Sequence, residues 1–130
     1  MRMEHVALNV ADVKATAKWY VDNLDMNIVS AGENPPHATF LTDSAGLSML
    51  ELYTHADPLP PQWRERDRVQ LHVAFLTTDM EKDRNRLLKA GALADGEPVH
   101  TPAGDILLFF RDPWGLAFQL VQRVSPLLKE

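Results

Sequence analysis

Two histidines open the chemical case. His5 and His72 each begin the tripeptide His-Val-Ala within an apolar stretch, EHVALNVAD at residues 4–12 and LHVAFLTTD at residues 71–79. Each is followed seven positions later by an aspartate, Asp12 and Asp79, so the segments repeat at an offset of 67. An imidazole in a strand either ligates a metal or is held, half-buried, by hydrogen bonds. A lone histidine would favour the second reading, whereas two at one repeat position favour ligation. Glu51 stands inside the apolar string Leu47-Ser-Met-Leu-Glu-Leu. A carboxylate is costly to bury there without a metal or another cation beside it, although on the alternate face of a strand it would point to solvent. The chain has no cysteine, so any metal must be held by nitrogen and oxygen, and no disulfide forms.

The elements that must position these groups also repeat. Asp12 and Asp79 suit the N-cap of a helix, where a carboxylate accepts orphan backbone N–H groups. The first helix is predicted over residues 13–24, with Val13, Ala17, Tyr20, Val21 and Leu24 on one apolar stripe. The second is predicted over residues 80–90, with Met80, Leu87 and Leu88 inward and Gly91 as its left-handed C-terminal cap. The charged run around Glu81–Arg86 reads as a solvated face. Three strands are expected after each helix: 26–31, 37–41 and 47–53 in the first half, and 97–101, 105–111 and 116–122 in the second. The last two of each trio are joined by Asp43-Ser-Ala-Gly46 and Asp112-Pro-Trp-Gly115, both suited to a tight reversal. Each half therefore reads βαβββ, and the fold class is α+β. One domain over 1–130 would hold a first module at about 1–54, a Pro-rich linker at about 54–67 and a second module at about 68–124. Asp43 precedes Glu51 by eight residues while Asp112 precedes Gln119 by seven, so a bulge or a longer turn is expected in the first half.

Composition narrows the partners. The 130 residues are 45% hydrophobic and 24% charged, ordinary for one globular domain. The net charge of −5 argues against nucleic acid as a partner. The longest apolar runs are too short to cross a bilayer. No signal-peptide pattern is visible in MRMEHVALNV, so a cytoplasmic protein of bacterial type is the expectation. His37, His55 and His100 lie at segment edges or in the linker and read as surface residues. Trp19 and Tyr20 read as helix core, and Arg64, Arg66 and Arg68 in and beside the linker have no assignable role. No Ser-His-Asp set, phosphate-binding loop or dinucleotide fingerprint is present.

A doubled βαβββ unit with histidine in the first strand of each half resembles the vicinal oxygen chelate superfamily, which includes glyoxalase I, methylmalonyl-CoA epimerase, extradiol dioxygenases and bleomycin-binding proteins. EHVALNVADVKATAKWYVDNL, LSMLELY and FFRDPWGLAFQLVQR carry the resemblance, which covers essentially the whole chain. It implies that the modules curl into an incomplete, barrel-like mixed sheet around a cleft. It also implies a metal site at His5, Glu51, His72 and Gln119, one divalent transition metal (Zn, Ni, Fe, Mn or Co), a small-molecule substrate with vicinal oxygens, and a homodimer. The implied activity is that of a lyase or isomerase working through an enediolate-like intermediate, with Glu51 as catalytic base. Many such enzymes have Glu where this chain has Gln119, and an amide cannot serve as base. The alternatives are a metal-free, ligand-sequestering protein of the bleomycin-resistance type and an extradiol-type dioxygenase.

Overall fold

The computed structural model describes residues 1–129. The chain divides into two compact units, residues 1–61 and a second that starts at Gln62. In the first unit the order is β1 (His5–Asn9), α1 (Val13–Asn23), β2 (Asn27–Ala31), β3 (Thr39–Thr42) and β4 (Met49–Tyr53). Its sheet runs β1-β4-β3-β2, with β1 parallel to β4 and the other pairs antiparallel.

The second unit begins with a 3₁₀ turn, Trp63–Glu65, followed by β5 (Val73–Leu76) and α2 (Met80–Lys89). Strands β6 (Leu93–Ala94), β7 (Val99–His100), β8 (Ile106–Arg111) and β9 (Ala117–Gln122) complete it. The sheet order is β5-β9-β8-β6, and β7 pairs further along β8. β5 is parallel to β9. The fold is thus α+β, with two helices and two mixed, unclosed sheets. The second unit departs from a plain βαβββ at one point. The strand expected at 97–101 shortens to β7, and an additional two-residue strand, β6, precedes it, with Gly96 at φ +93° turning the chain between them. Leu93 and Ala94 alone are too short to show an alternating pattern.

Local chemistry explains the helix ends. Ala15 N–H donates to Asp12 Oδ1 at 3.0 Å, and Lys82 N–H donates to Asp79 Oδ1 at 3.1 Å. Such caps each contribute about 1 kcal/mol. At the far end of α2, Gly91 takes φ +101° and its N–H donates to Leu88 O, while Ala92 N–H donates to Leu87 O. That pair of bonds closes the helix in the Schellman manner, which a left-handed glycine permits.

Each helix covers one face of its own sheet. In the first unit Val13, Thr16, Ala17 and Tyr20 are buried with Leu8, Leu41, Leu50 and Leu52, and Val21 lies half-buried at the stripe's edge. In the second unit Met80 and Leu87 are buried, as are Leu108, Phe110, Phe118 and Leu120; Phe110 and Phe118 stack at 5.3 Å. Leu88 corrects the expected inward set. It is 38% exposed, because one residue past Leu87 turns about 100° around the helix and off the buried stripe.

The one-residue difference between the halves is a longer turn. In β3–β4, Thr42 still pairs with Met49 in unbroken register, leaving residues 43–48 in the turn. In β8–β9, Arg111 pairs with Ala117, leaving 112–116. Register is preserved, so Glu51 and Gln119 occupy equivalent positions, opposite Phe40 and Phe109.

Candidate functional site

The two sheets each bury one face under a helix, and the candidate residues lie on the other. In the first unit Leu50 and Leu52 are core, so the intervening Glu51 points away from α1, as strand alternation requires. Its antiparallel partner Phe40 shares that face and meets the His5 ring edge-on, with centroids 5.4 Å apart and planes at 88°. The structure therefore brings His5 and Glu51 to one face of adjacent, parallel strands. Glu51 is half-buried, which corrects neither of the two sequence readings but lies between them.

In the second unit the same arrangement recurs. Phe109 is the register partner of Gln119 and meets the His72 ring edge-on at 4.8 Å and 88°. His72 precedes the first residue of β5 rather than lying within it. Phe118 and Leu120 are core, so Gln119 also faces away from α2.

The imidazoles are oriented by their Nδ1 atoms. His72 Nδ1 lies 2.8 Å from the carbonyl oxygen of Arg68. A carbonyl only accepts, so neutral His72 carries its proton on Nδ1 and keeps a lone pair on Nε2. His5 Nδ1 lies 2.9 Å from Glu4 Oε1, with the same consequence. An oxygen acceptor behind the proton-bearing nitrogen is the arrangement that fixes tautomer and aim in metal-ligating histidines. Within each unit an imidazole nitrogen shares a sheet face with a carboxylate or amide oxygen, donor types that suit a borderline divalent cation. Each unit presents one imidazole and one oxygen donor. Among the described residues, no three or more His, Asp or Glu side chains are gathered into a group that could hold a metal ion.

Sequence reasoning missed the surroundings of His72. Arg68, which had no assigned role, lays its guanidinium 5.0 Å over the Phe109 ring. Its Nη1 donates to Asp95 Oδ1 at 2.9 Å and also to the Asp95 carbonyl. Arg111 Nε donates to Asp95 Oδ2 at 2.8 Å, and Arg111 Nη1 donates to the carbonyls of Trp63 and Gly115. Gly96 lies against this packing: its φ of +93° favours glycine, and a Cβ there would lie 2.9 Å from Arg68 Nη1, the movable tip of that side chain. The only sequence signal was the adjacency of Asp95 and Gly96, which reads as an ordinary turn.

His37, His55 and His100 are exposed. His55 nonetheless packs edge-on against Tyr53 at 5.0 Å, and its N–H donates to Asn9 Oδ1 at 2.9 Å. A separate open cleft of about 860 Å³ lies on the helix side of the first sheet, lined by Asp12, Lys14, Glu33, His37, Thr39 and Thr54 among others. No helix among the described residues is long and apolar enough to cross a membrane.

Residues 2–120 match the family model of the glyoxalase/bleomycin resistance protein/dioxygenase superfamily, and the chain belongs to that superfamily. Solved structures agree on the fold. A member of this superfamily from Sphaerobacter thermophilus superposes with a TM-score of 0.75 at 18% identity, covering 95% of this chain and 98% of its own. The antibiotic binding protein TnmS3 from a Streptomyces species gives 0.72 at 22% identity, covering 94% and 95%. A family enzyme from Burkholderia phytofirmans gives 0.72 at 17%, covering 92% and 96%. No curated protein matches the sequence.

Proposed function

We propose that the chain is a metal-dependent enzyme of the glyoxalase type, an isomerase or lyase acting on a small molecule with two adjacent oxygens. One observation carries the reading. Both units present a histidine and an oxygen-donating side chain on the sheet face away from the helix, and in both the imidazole Nδ1 is already engaged by an oxygen acceptor. His5, Glu51, His72 and Gln119 would hold one divalent Zn, Ni, Fe, Mn or Co ion, whose Lewis acidity would polarise the substrate oxygens. Within this set only Glu51 can take a proton from the carbon beside a carbonyl, since the Gln119 amide has no basic site. Gln119 instead orients a substrate oxygen or completes the donor set. The Phe40 and Phe109 rings supply apolar surface beside these polar groups, which limits water around the transferred proton. A soluble homodimer acting in the cytoplasm fits this reading, and a single-chain mass in light scattering at micromolar concentration would remove the dimer from it.

A second reading has a specific observation in its favour. A protein of the same fold is described as antibiotic-binding, and the absence of a carboxylate at position 119 suits sequestration as well as catalysis. Metal content separates the two. The purified, unchelated protein and its His5→Ala and His72→Ala variants would be measured by mass spectrometry. About one transition metal per chain, lost in both variants, supports the enzyme. A wild type that takes up none of Ni, Zn, Fe or Mn overturns it in favour of sequestration.

A further inference from the structure

The repeat extends beyond the four donors. His5–Phe40 and His72–Phe109 are equivalent pairs, each edge-on at 88°, and each phenylalanine is the cross-strand partner of the neighbouring donor, Glu51 or Gln119. An aromatic edge packed against an imidazole restricts rotation about the bond that swings the ring, while the Nδ1 hydrogen bond fixes which nitrogen stays inside. The two halves nonetheless differ in stiffness. His5 is tied to Glu4, a neighbouring side chain that is 70% exposed. His72 is tied to a backbone carbonyl, and its phenylalanine is capped by Arg68, which Asp95 in turn holds in place.

We propose that Phe40 and Phe109 are positioning residues for the two imidazoles, and that the half-site of the second unit is the preformed one. The proposal rests on the metal-binding reading above for its consequence, but not for its geometry. Two measurements test it. The first is nitrogen-15 NMR of the histidine rings in the metal-free protein at a pH of about 8. Wild-type His72 is expected as one tautomer with the proton on Nδ1, and Phe109→Leu is expected to give a mixture. The second is metal affinity by competition with a chromogenic chelator, using Zn and Ni alone as probes. Loss of a partner that orients a ligand typically weakens binding about 10–100-fold. Phe109→Leu is expected in that range, Phe40→Leu below it, and Phe109→Tyr near wild type. Arg68→Gln keeps both the carbonyl and the aromatic ring and serves if Phe109→Leu fails to fold; it is expected to broaden the His72 tautomer signal and weaken binding several-fold. Unchanged tautomer and affinity in Phe109→Leu, or in Arg68→Gln where that variant stands in, overturn the proposal. A larger loss in Phe40→Leu than in Phe109→Leu overturns the ordering of the halves. A wild type without metal affinity refutes the enzyme reading alone, because the ring measurement still decides whether Phe109 holds His72.

Discussion

The two Asp-x-x-Gly turns look interchangeable in sequence, and alanine substitution should separate them. Gly46 adopts φ +72° with nothing within 4 Å of an added Cβ, so Gly46→Ala meets only the backbone penalty of a left-handed L-residue, about 1–2 kcal/mol. Gly115 adopts φ +95°, and its Cβ would lie 2.6, 2.7 and 2.8 Å from Arg64 Cβ, Cα and N. A backbone cannot rotate aside as a side-chain tip can, so the Arg64 segment must move. Overpacking of this kind adds about 1–3 kcal/mol, which takes the total for Gly115→Ala to about 2–5 kcal/mol. Urea unfolding followed by tryptophan fluorescence is the assay, since Trp63 and Trp114 adjoin the contact in sequence. With a urea slope of about 1–3 kcal/mol per molar, an extra 2 kcal/mol lowers the midpoint by roughly 1 M relative to Gly46→Ala. The displaced segment leads directly to Arg68 and His72, so under the proposed function Gly115→Ala should also weaken metal uptake while Gly46→Ala should not. Equal loss of stability in the two variants would refute the claimed close approach of the Arg64 backbone to the turn.

Leu87→Ala should cost about 2–5 kcal/mol because Leu87 is fully buried, whereas Leu88→Ala should change stability by less than about 1 kcal/mol; equal thermal shifts would refute the assigned face of α2. Asp105 has a lowered pKa, held down first by the Val124 backbone N–H and then by Arg123. Its stabilisation is therefore present above the unfolded value near 3.8 and is lost as pH falls through the lower folded value, so melting curves of Asp105→Asn and wild type should differ at pH 6 and converge in strong acid. Gln119→Glu should tighten metal binding in chelator competition, and an unchanged affinity would remove position 119 from the donor set.

What was legible in the sequence was local. Asp12 and Asp79 announce helix starts because an N-cap needs only the next three residues, and Gly91 announces a helix end for the same reason. The duplicated His-Val-Ala and the Asp-x-x-Gly turns gave the repeat, and the family resemblance it supports implied the four candidate donors. Phe40 and Phe109 were not legible, because their contact with histidine depends on cross-strand register between strands distant in sequence. Arg68 was hidden for a similar reason. Its partner Asp95 lies 27 residues away, and a linker arginine ordinarily reads as solvent-exposed charge. Strand β6 was lost because two residues cannot display a period of two, and Leu88 was misplaced because adjacent leucines both fit a coarse apolar stripe.

Duplication supplies two equivalent positions, 51 and 119, on the last strand of each unit, and the chain has let them differ. Under the proposed function, two neutral imidazoles, one carboxylate and one amide would carry a single negative charge, and a divalent cation held by them would leave a net charge of +1. Such retained positive charge would draw electron density more strongly from a substrate oxygen and lower the cost of removing the neighbouring proton. It would also weaken the hold on a cation, since a neutral amide attracts it less than a carboxylate. Rigidity offsets that weakness most effectively where the donor is neutral. The neutral donor Gln119 shares its face with the better-held histidine, His72, while the charged donor Glu51 shares its face with the looser His5. Preorganisation and charge are thus distributed between the two units in a complementary way. On that reading, the Arg68–Asp95–Arg111 network beside the second histidine would stiffen the half of the site whose donor attracts a cation least.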